Sequence, residues 1–343
     1  MSAEPRISKG LRELLREGKQ AGAFKRGHLW VAQGGRCISE AWTPECHPQS
    51  LWDVASLTKP MAVVTEVMRG VAAGELSLED KICTPAGFES DLRSLLAHRS
   101  GLPPWDDLWQ LAQTLGKGWL PGSQALRERV EQRIAELAGT QEGSAYSDLG
   151  FITLGWHLEA RFGKGLSTLV SRWRWGVPAS SRAYKRTIAT GHCPRRGRQA
   201  RGEVDDLNTW VLGGVAGHAG LFASAREVGA WALDLSNAAA GRGGSIDGGV
   251  VRSFWDPAQK TTGSSWVLGW DTPTPPNSTA GTRVSSHAVG HLGFTGTSVW
   301  IDRESDLIVV LLSDRVALGA DAQPLMRALR PRIHDGVRDL LGL

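Results

Sequence analysis

The chain has 343 residues, 41% hydrophobic and 22% charged, enough apolar side chain for a large core and too little unbalanced charge for a disordered chain. Its 39 basic and 35 acidic residues leave a net charge of +4, a mild excess that argues against a nucleic-acid partner. No run of 18 apolar residues occurs and the N-terminus shows no apolar stretch of signal-peptide type, so the expectation is a cytoplasmic protein without a membrane span.

Ile7, Leu11, Leu14 and Leu15 fall on one face of an amphipathic first helix. "GHLWVAQGGRCISEAWT" then reads as two strands around Gly34 and Gly35, a hairpin signal. A helix is expected from Ser56 through Met61, Val64, Val67 and Met68 to about Ala73; Pro60 is compatible only with its first turn. Leu92, Leu95 and Leu96 mark a short helix, and "SQALRERVEQRIAELAG" a longer one with a serine cap candidate. "DLGFITLGWHLEARFG" and "STLVSRWRWG" read as two more helices, whereas 176–220 shows no clear period. Ser224 and Glu227 have capping-box spacing at the start of a helix. Strand signals return at "SSWVLGW", "TSVWID" and "DLIVVLLSD". Leu325, Leu329, Ile333, Val337 and Leu340 share one face of a last helix.

Strands at both ends of the chain predict one antiparallel sheet covered by the terminal helices, with a mostly helical second lobe between them: an α+β fold. The expected units are a discontinuous sheet domain of 1–60 and 215–343 and a helical domain of 61–214, with the site in the cleft between them. Cys37, Cys46, Cys83 and Cys193 form no CxxC pair and read as reduced thiols. Most of the 15 tryptophans are expected in core and pocket walls.

Three short stretches carry chemistry. "SLTK" places Ser56 and Lys59 three apart near a helix start, on one face. A lysine made neutral by burial accepts a serine proton, and helix N–H groups favour the developing negative charge. The bland alternative is a capping serine beside a solvated lysine. "SAYSDLGF" holds Tyr146, Ser147 and Asp148, with the tyrosine a candidate proton shuttle whose pKa a neighbouring lysine cation should lower. "GHLGFTGTSVWID" brings glycines to a strand edge, where the backbone N–H of Phe294 is placed to complete an oxyanion hole with that of Ser56.

In this order the three stretches resemble the penicillin-recognising serine hydrolases, with "SLTK", "YSD" and "HLG" as the three motifs. The tyrosine in the second motif is similar to the class C β-lactamase branch, with its DD-peptidases, D-aminopeptidases and esterases. "LLAHRSGLP" and "LGGVAGHAGLFASAREVGAWA" extend the resemblance over roughly residues 20 to 340. It implies that Ser56 is acylated, that Lys59 and Tyr146 together move its proton, and that no metal or organic cofactor takes part. Which of the two is the base stays open. Two departures stand out. His291 and Leu292 replace the family's lysine and threonine, and Asp148 replaces asparagine. With Gly293 and Trp105 these are the candidate substrate-binding residues. Weaker carboxylate binding and a charge beside Lys59 imply an esterase or amidase of small molecules with weak β-lactam reactivity. A β-lactamase, a D-amino-acid peptidase and a non-catalytic binding homologue remain as alternatives.

Several other features have plain readings. His98 and His218 are expected to be structural, bonded to backbone in tight loops. Glu203, Asp205 and Asp206 read as solvated acids rather than a metal site. Residues 194–201, "PRRGRQAR", read as an exposed loop, with a basic rim as the alternative. The tryptophan-rich segment 105–120 divides between lobe core and, at Trp105, pocket wall.

Overall fold

The structure is a computed structural model that describes residues 3–116, 119–276 and 278–343; Lys117, Gly118 and Asn277 lie outside the described residues. Its centre is a five-stranded antiparallel sheet in the order Val289–Leu292, Ser298–Asp302, Leu307–Ser313, Gly27–Gln33 and Arg36–Trp42. The first two strands in sequence meet at Gly34 and Gly35, whose φ values of 61° and 75° suit a tight hairpin turn that other residues resist.

Alternation along the strands divides the core. Leu29, Val31, Leu307, Val309 and Leu311 face the terminal helices Ala3–Gln20 and Ala322–Leu341, meeting Leu11, Leu15, Leu329, Ile333 and Val337. Trp30, Ala32, Ile308, Val310 and Leu312 point the other way, into a larger cluster that continues through Met61, Val64, Leu95, Leu149 and Phe151. One core therefore runs from the sheet into the helices that follow the segment containing Ser56. The fold is α+β, as the element order predicts.

Most expected helices form close to their sequence bounds. Ser147 caps Asp148–Phe162 by accepting the Gly150 N–H, and Ser224 and Glu227 complete a capping box on Ala225–Ala239. Four details differ. The segment 55–72 is not one α-helix but a 3-10 turn at Ala55–Leu57, a π segment at Lys59–Val64 and an α-helix at Thr65–Ala72. Pro60 has no N–H to give to a carbonyl one turn back, so the regular pattern cannot run through it. "SSWVLGW" forms no strand; Trp266 and Asp271 make only an isolated bridge. "STLVSRWRWG" is a four-residue helix, Leu166–Leu169, followed by a two-residue strand, Arg174–Trp175. Leu325 is exposed, and Met326 takes its place against the sheet.

Ser56 is placed by a second, small sheet. Trp52–Asp53 pairs with Leu221–Ala223, which pairs with Arg174–Trp175. Just before Leu221 the chain passes Gly217, pressed so closely on the helix Asp148–Phe162 that an added Cβ would stand 1.9 Å from the Phe151 carbonyl oxygen. This contact is backbone on backbone and has no flexible side chain to yield. Gly217→Ala is therefore expected to lower unfolding free energy by at least about 1–3 kcal/mol, the usual range for overpacking. A urea titration checks this, and an unchanged midpoint would show that the approach is looser than the structure has it.

Candidate active site

Ser56 begins where the short strand Trp52–Asp53 turns into the helical segment. The preceding residue, Ala55, sits at φ 49°, a left-handed conformation that costs a non-glycine residue about 1–3 kcal/mol. Asp53 holds it there, its Oδ1 accepting the Ala55 N–H at 2.8 Å and its Oδ2 the Asp205 N–H at 2.7 Å. Burial pushes the Asp53 carboxyl up to about 7, against these two N–H bonds and with the charge of Asp205 adding to the rise. Nothing in the sequence reading singled out Asp53; its only signal is its place three residues before Ser56.

Lys59 is fully buried, and its ammonium donates to Ser56 Oγ at 3.0 Å, Asp148 Oδ1 at 2.6 Å and the His218 carbonyl at 3.3 Å. An ammonium has three N–H bonds, and each has a partner here. Burial by itself drives the Lys59 pKa down. The Asp148 carboxylate and the Tyr146 phenol outweigh burial and hold the pKa above that of an ordinary lysine. The solvated lysine of the bland alternative is therefore not what the fold contains.

Tyr146 lies against this group, with Lys59 Nζ 4.7 Å from its ring centre and its hydroxyl facing both Lys59 and Ser56. Its pKa is raised, contrary to the sequence expectation. Burial of the phenol outweighs the lowering by Lys59, and Asp148 adds to the rise. At neutral pH the three groups therefore hold a protonated lysine and a neutral phenol.

The wall beyond Tyr146 is aromatic. His98, Trp266 and His291 pack around it at ring-centre distances of 4.8, 5.0 and 5.9 Å. His98 Nδ1 accepts the Ser147 N–H at 3.0 Å, which makes His98 a structural residue and fixes the start of the Asp148 helix. His291 Nδ1 lies 2.8 Å from the Leu292 carbonyl and so carries the proton, leaving Nε2 as a bare acceptor. Burial, with Lys59 nearby, lowers the His291 pKa to about 3. His291 is therefore neutral and supplies no positive charge to the site.

The loop after the edge strand closes the site from the sheet side. Thr295 Oγ1 donates to the Asp53 carbonyl at 2.8 Å and Thr297 Oγ1 to that of Val54 at 3.0 Å, which ties the loop to the segment that leads into Ser56. Gly293 is required for this seating, because an added Cβ would stand 2.0 Å from Thr297 Oγ1 and 2.6 Å from the Val54 carbonyl oxygen. Phe294 is 60% exposed, and among the described residues its N–H has no protein acceptor. Ser56, Tyr146, Asp148, Leu292, Phe294 and Trp105 all line one cavity of about 870 Å³, with Trp105 half exposed at its rim.

The remaining residues fall elsewhere than expected. His218 bonds side chains rather than backbone, with Nε2 2.9 Å from Asp206 and 3.1 Å from Thr209, while its carbonyl meets Lys59. Asp206 is no solvated acid. It caps Leu207–Val211, and although burial opposes ionisation, His218 and Thr209 hold its carboxyl at about 2. Asp205 is half-buried in the cavity wall, and Glu203 pairs with Arg198. Residues 194–201 are not a free loop: Gly191–Cys193 and Arg198–Ala200 form a hairpin, Arg196 is buried, and Arg195 stacks on Trp109. Among the described residues no disulfide joins the four cysteines, and no helix is long and apolar enough to cross a membrane.

A serine and a buried lysine where a small sheet enters a helix, under a glycine-rich sheet edge, define a β-lactamase-like hydrolase fold. The profile of the Beta-lactamase family matches residues 11–330, and the chain belongs to that family of hydrolases. It is 25% identical over 307 residues to an N-acetylmuramyl-L-alanine amidase of Bacillus subtilis (strain 168), covering 78% of this chain and 68% of that one. It is 25% identical over 308 residues to a putative D-alanyl-D-alanine carboxypeptidase of Escherichia coli (strain K12), covering 78% and 69%. The crystal structure of a β-lactamase from Sulfitobacter sp. EE-36 superposes with a TM-score of 0.72 at 15% identity, covering 100% of this chain and 99% of that one.

The Lys59–Asp148 pair generates a pH prediction. Asp148→Asn keeps an oxygen for Lys59 and removes the charge that raises its pKa. Alanine would instead leave a buried ammonium without its partner, at a cost of about 3–5 kcal/mol. In the asparagine variant the proton acceptor becomes available at lower pH, so the acid limb of the kcat/KM profile is expected to move down. A limb that stays in place would show that Lys59 is not the group titrating there.

Proposed function

We propose that this protein is a serine hydrolase of esterase or amidase type that works through an acyl-enzyme on Ser56. The observation that carries the reading is the 3.0 Å contact between Ser56 Oγ and the ammonium of a lysine with no exposure to solvent. In this reading Ser56 Oγ attacks the acyl carbonyl while its proton passes into the Lys59–Tyr146 pair and on to the leaving group. The Ser56 and Phe294 N–H groups receive the oxyanion. Water then attacks the ester of Ser56, giving its proton to the same pair and releasing the acid. At rest both members of the pair are protonated, so turnover is expected to rise with pH through the neutral range.

The substrate class follows from the charges around the cavity. Neutral His291 offers no cation to a substrate carboxylate, and Leu292 no hydroxyl. Arg315 and Arg330, the two guanidiniums of the wall, are turned onto loop carbonyls. Trp105, Trp266 and Leu292 provide apolar surface instead. Neutral or apolar acyl groups therefore suit the site better than the carboxylate-bearing β-lactams. Cleavage of amide bonds in cell-wall fragments is the second reading, favoured by the names of the Bacillus and Escherichia relatives. A non-catalytic role is disfavoured by the coexistence of Ser56, Lys59 and Tyr146.

Hydrolysis of p-nitrophenyl acetate and butyrate beside nitrocefin, in the native protein and in Ser56→Ala, tests the proposal. The expected result is ester turnover that falls roughly a thousandfold or more in the variant, with slow nitrocefin turnover in both. Fast nitrocefin hydrolysis would overturn the substrate class, and release of D-alanine from small peptides without ester turnover would favour the second reading.

A further inference from the structure

Arg330 lies on the C-terminal helix, far in sequence from the three motifs, yet it reaches the loop that carries the Phe294 N–H. The residue is 9% exposed. Its guanidinium donates through one terminal nitrogen to the Gly293 carbonyl at 3.2 Å and the Thr297 carbonyl at 3.1 Å. Among the described residues no carboxylate pairs with it, and its Nε has no partner. Burial and neighbouring Arg315 lower its pKa only to about 10, so it stays charged at neutral pH. A buried cation held only by carbonyl oxygens is costly.

The Gly293 carbonyl and the Phe294 N–H belong to the same peptide group. That group is planar and trans, so a bond that fixes the direction of the C=O also fixes the N–H, pointing the opposite way. Here the C=O accepts from Arg330 at 3.2 Å and from the turn N–H of Gly296 at 3.1 Å, and among the described residues the Phe294 N–H has no protein acceptor. A positive charge on the carbonyl oxygen also draws electron density along the amide and strengthens the N–H as a donor. Thr297 works with it, because its carbonyl accepts from both Gly293 N at 2.8 Å and Arg330.

We infer that Arg330 is a positioning residue for the oxyanion hole, orienting and polarising the Gly293–Phe294 peptide from behind. The inference rests on the acyl-enzyme reading above and adds to it a residue of the cavity wall whose guanidinium is turned onto loop carbonyls. Arg315 grips the Phe294 carbonyl, which belongs to the next peptide along, and so steadies the loop without addressing the same N–H.

Arg330→Met and Arg330→Lys test this, with three measurements on each: kcat and KM for p-nitrophenyl butyrate, the affinity of phenylboronic acid, whose adduct with a serine is tetrahedral and anionic, and the thermal midpoint. The expected result for the methionine variant is a kcat about 10- to 100-fold lower with KM nearly unchanged, since a lost oxyanion donor costs about 100- to 1,000-fold and a misaimed one less. Boronate affinity should fall in step with kcat, and lysine should recover part of both. A structural role alone would lower the thermal midpoint and the fraction of protein labelled by a fluorophosphonate, leaving boronate affinity per labelled site unchanged; that result overturns the inference. If the methionine variant does not fold, the lysine variant decides by the same comparison. Activity retained in Ser56→Ala would refute the acyl-enzyme reading itself. An inactive Ser56→Ala with unaltered boronate affinity in the Arg330 variants would refute only the role of Arg330.

Discussion

The site depends on a buried ammonium. Lys59 has no exposure, and burying an unpaired charge is among the costliest things a fold can do. Its three N–H bonds are met by a carboxylate, a hydroxyl and a backbone carbonyl drawn from three different parts of the chain. Those parts must be brought together for the lysine to be tolerated, so the lysine ties them into one site. The strong Asp148 contact comes from the helix Asp148–Phe162, capped by Ser147. The carbonyl comes from His218, itself held through its ring by Asp206 and Thr209. Ser56 is the third partner, and its position follows from the same constraint.

Close backbone approaches make these convergences possible. Gly217 lets the segment that leads into His218 lie directly on the helix of Asp148. Gly293 lets the sheet edge lie directly on the carbonyls before Ser56. At both places a methyl group would occupy space already taken by backbone. Threonine hydroxyls of the loop 293–297 then satisfy the Asp53 and Val54 carbonyls, arginine guanidiniums hold the carbonyls of Gly293, Phe294 and Thr297, and among the described residues the Phe294 N–H has no protein acceptor. In the proposed mechanism, oxyanion stabilisation rests on the fixed placement of that donor.

Much of this was legible in the sequence, because the signals were local. Alternation in "DLIVVLLSD" and "GHLWVAQ" specified the central strands, and the Ser224–Glu227 spacing located the start of one long helix, whereas Ser123 makes no side-chain cap on Gln124–Glu136. The three motifs pointed to Ser56, Lys59, Tyr146 and the glycine-rich edge, and the structure brings Ser56, Tyr146 and that edge onto one cavity with Lys59 buried beside Ser56. What stayed hidden was long-range. Asp53 and Arg330 act through backbone groups distant in sequence, and no spacing rule marks such partners. The rise in the Tyr146 pKa was missed because charge is visible in a sequence and burial is not. "SSWVLGW" has the composition of a strand, yet Trp266 is drawn to the rings of Tyr146, His98 and His291 instead of a ladder. The acids at 203–206 looked solvated because their partners, Arg198 for Glu203 and His218 with Thr209 for Asp206, are set by the fold and not by composition.

The central claim is that Ser56 is the residue acylated. Its most direct test is intact-mass analysis of the protein after brief reaction with a fluorophosphonate or an activated ester, followed by peptide mapping of the adduct. The account predicts a single covalent addition per chain, on the peptide that contains Ser56. An adduct on any other residue, or hydrolysis of the ester with no covalent species trapped under any condition, would contradict it.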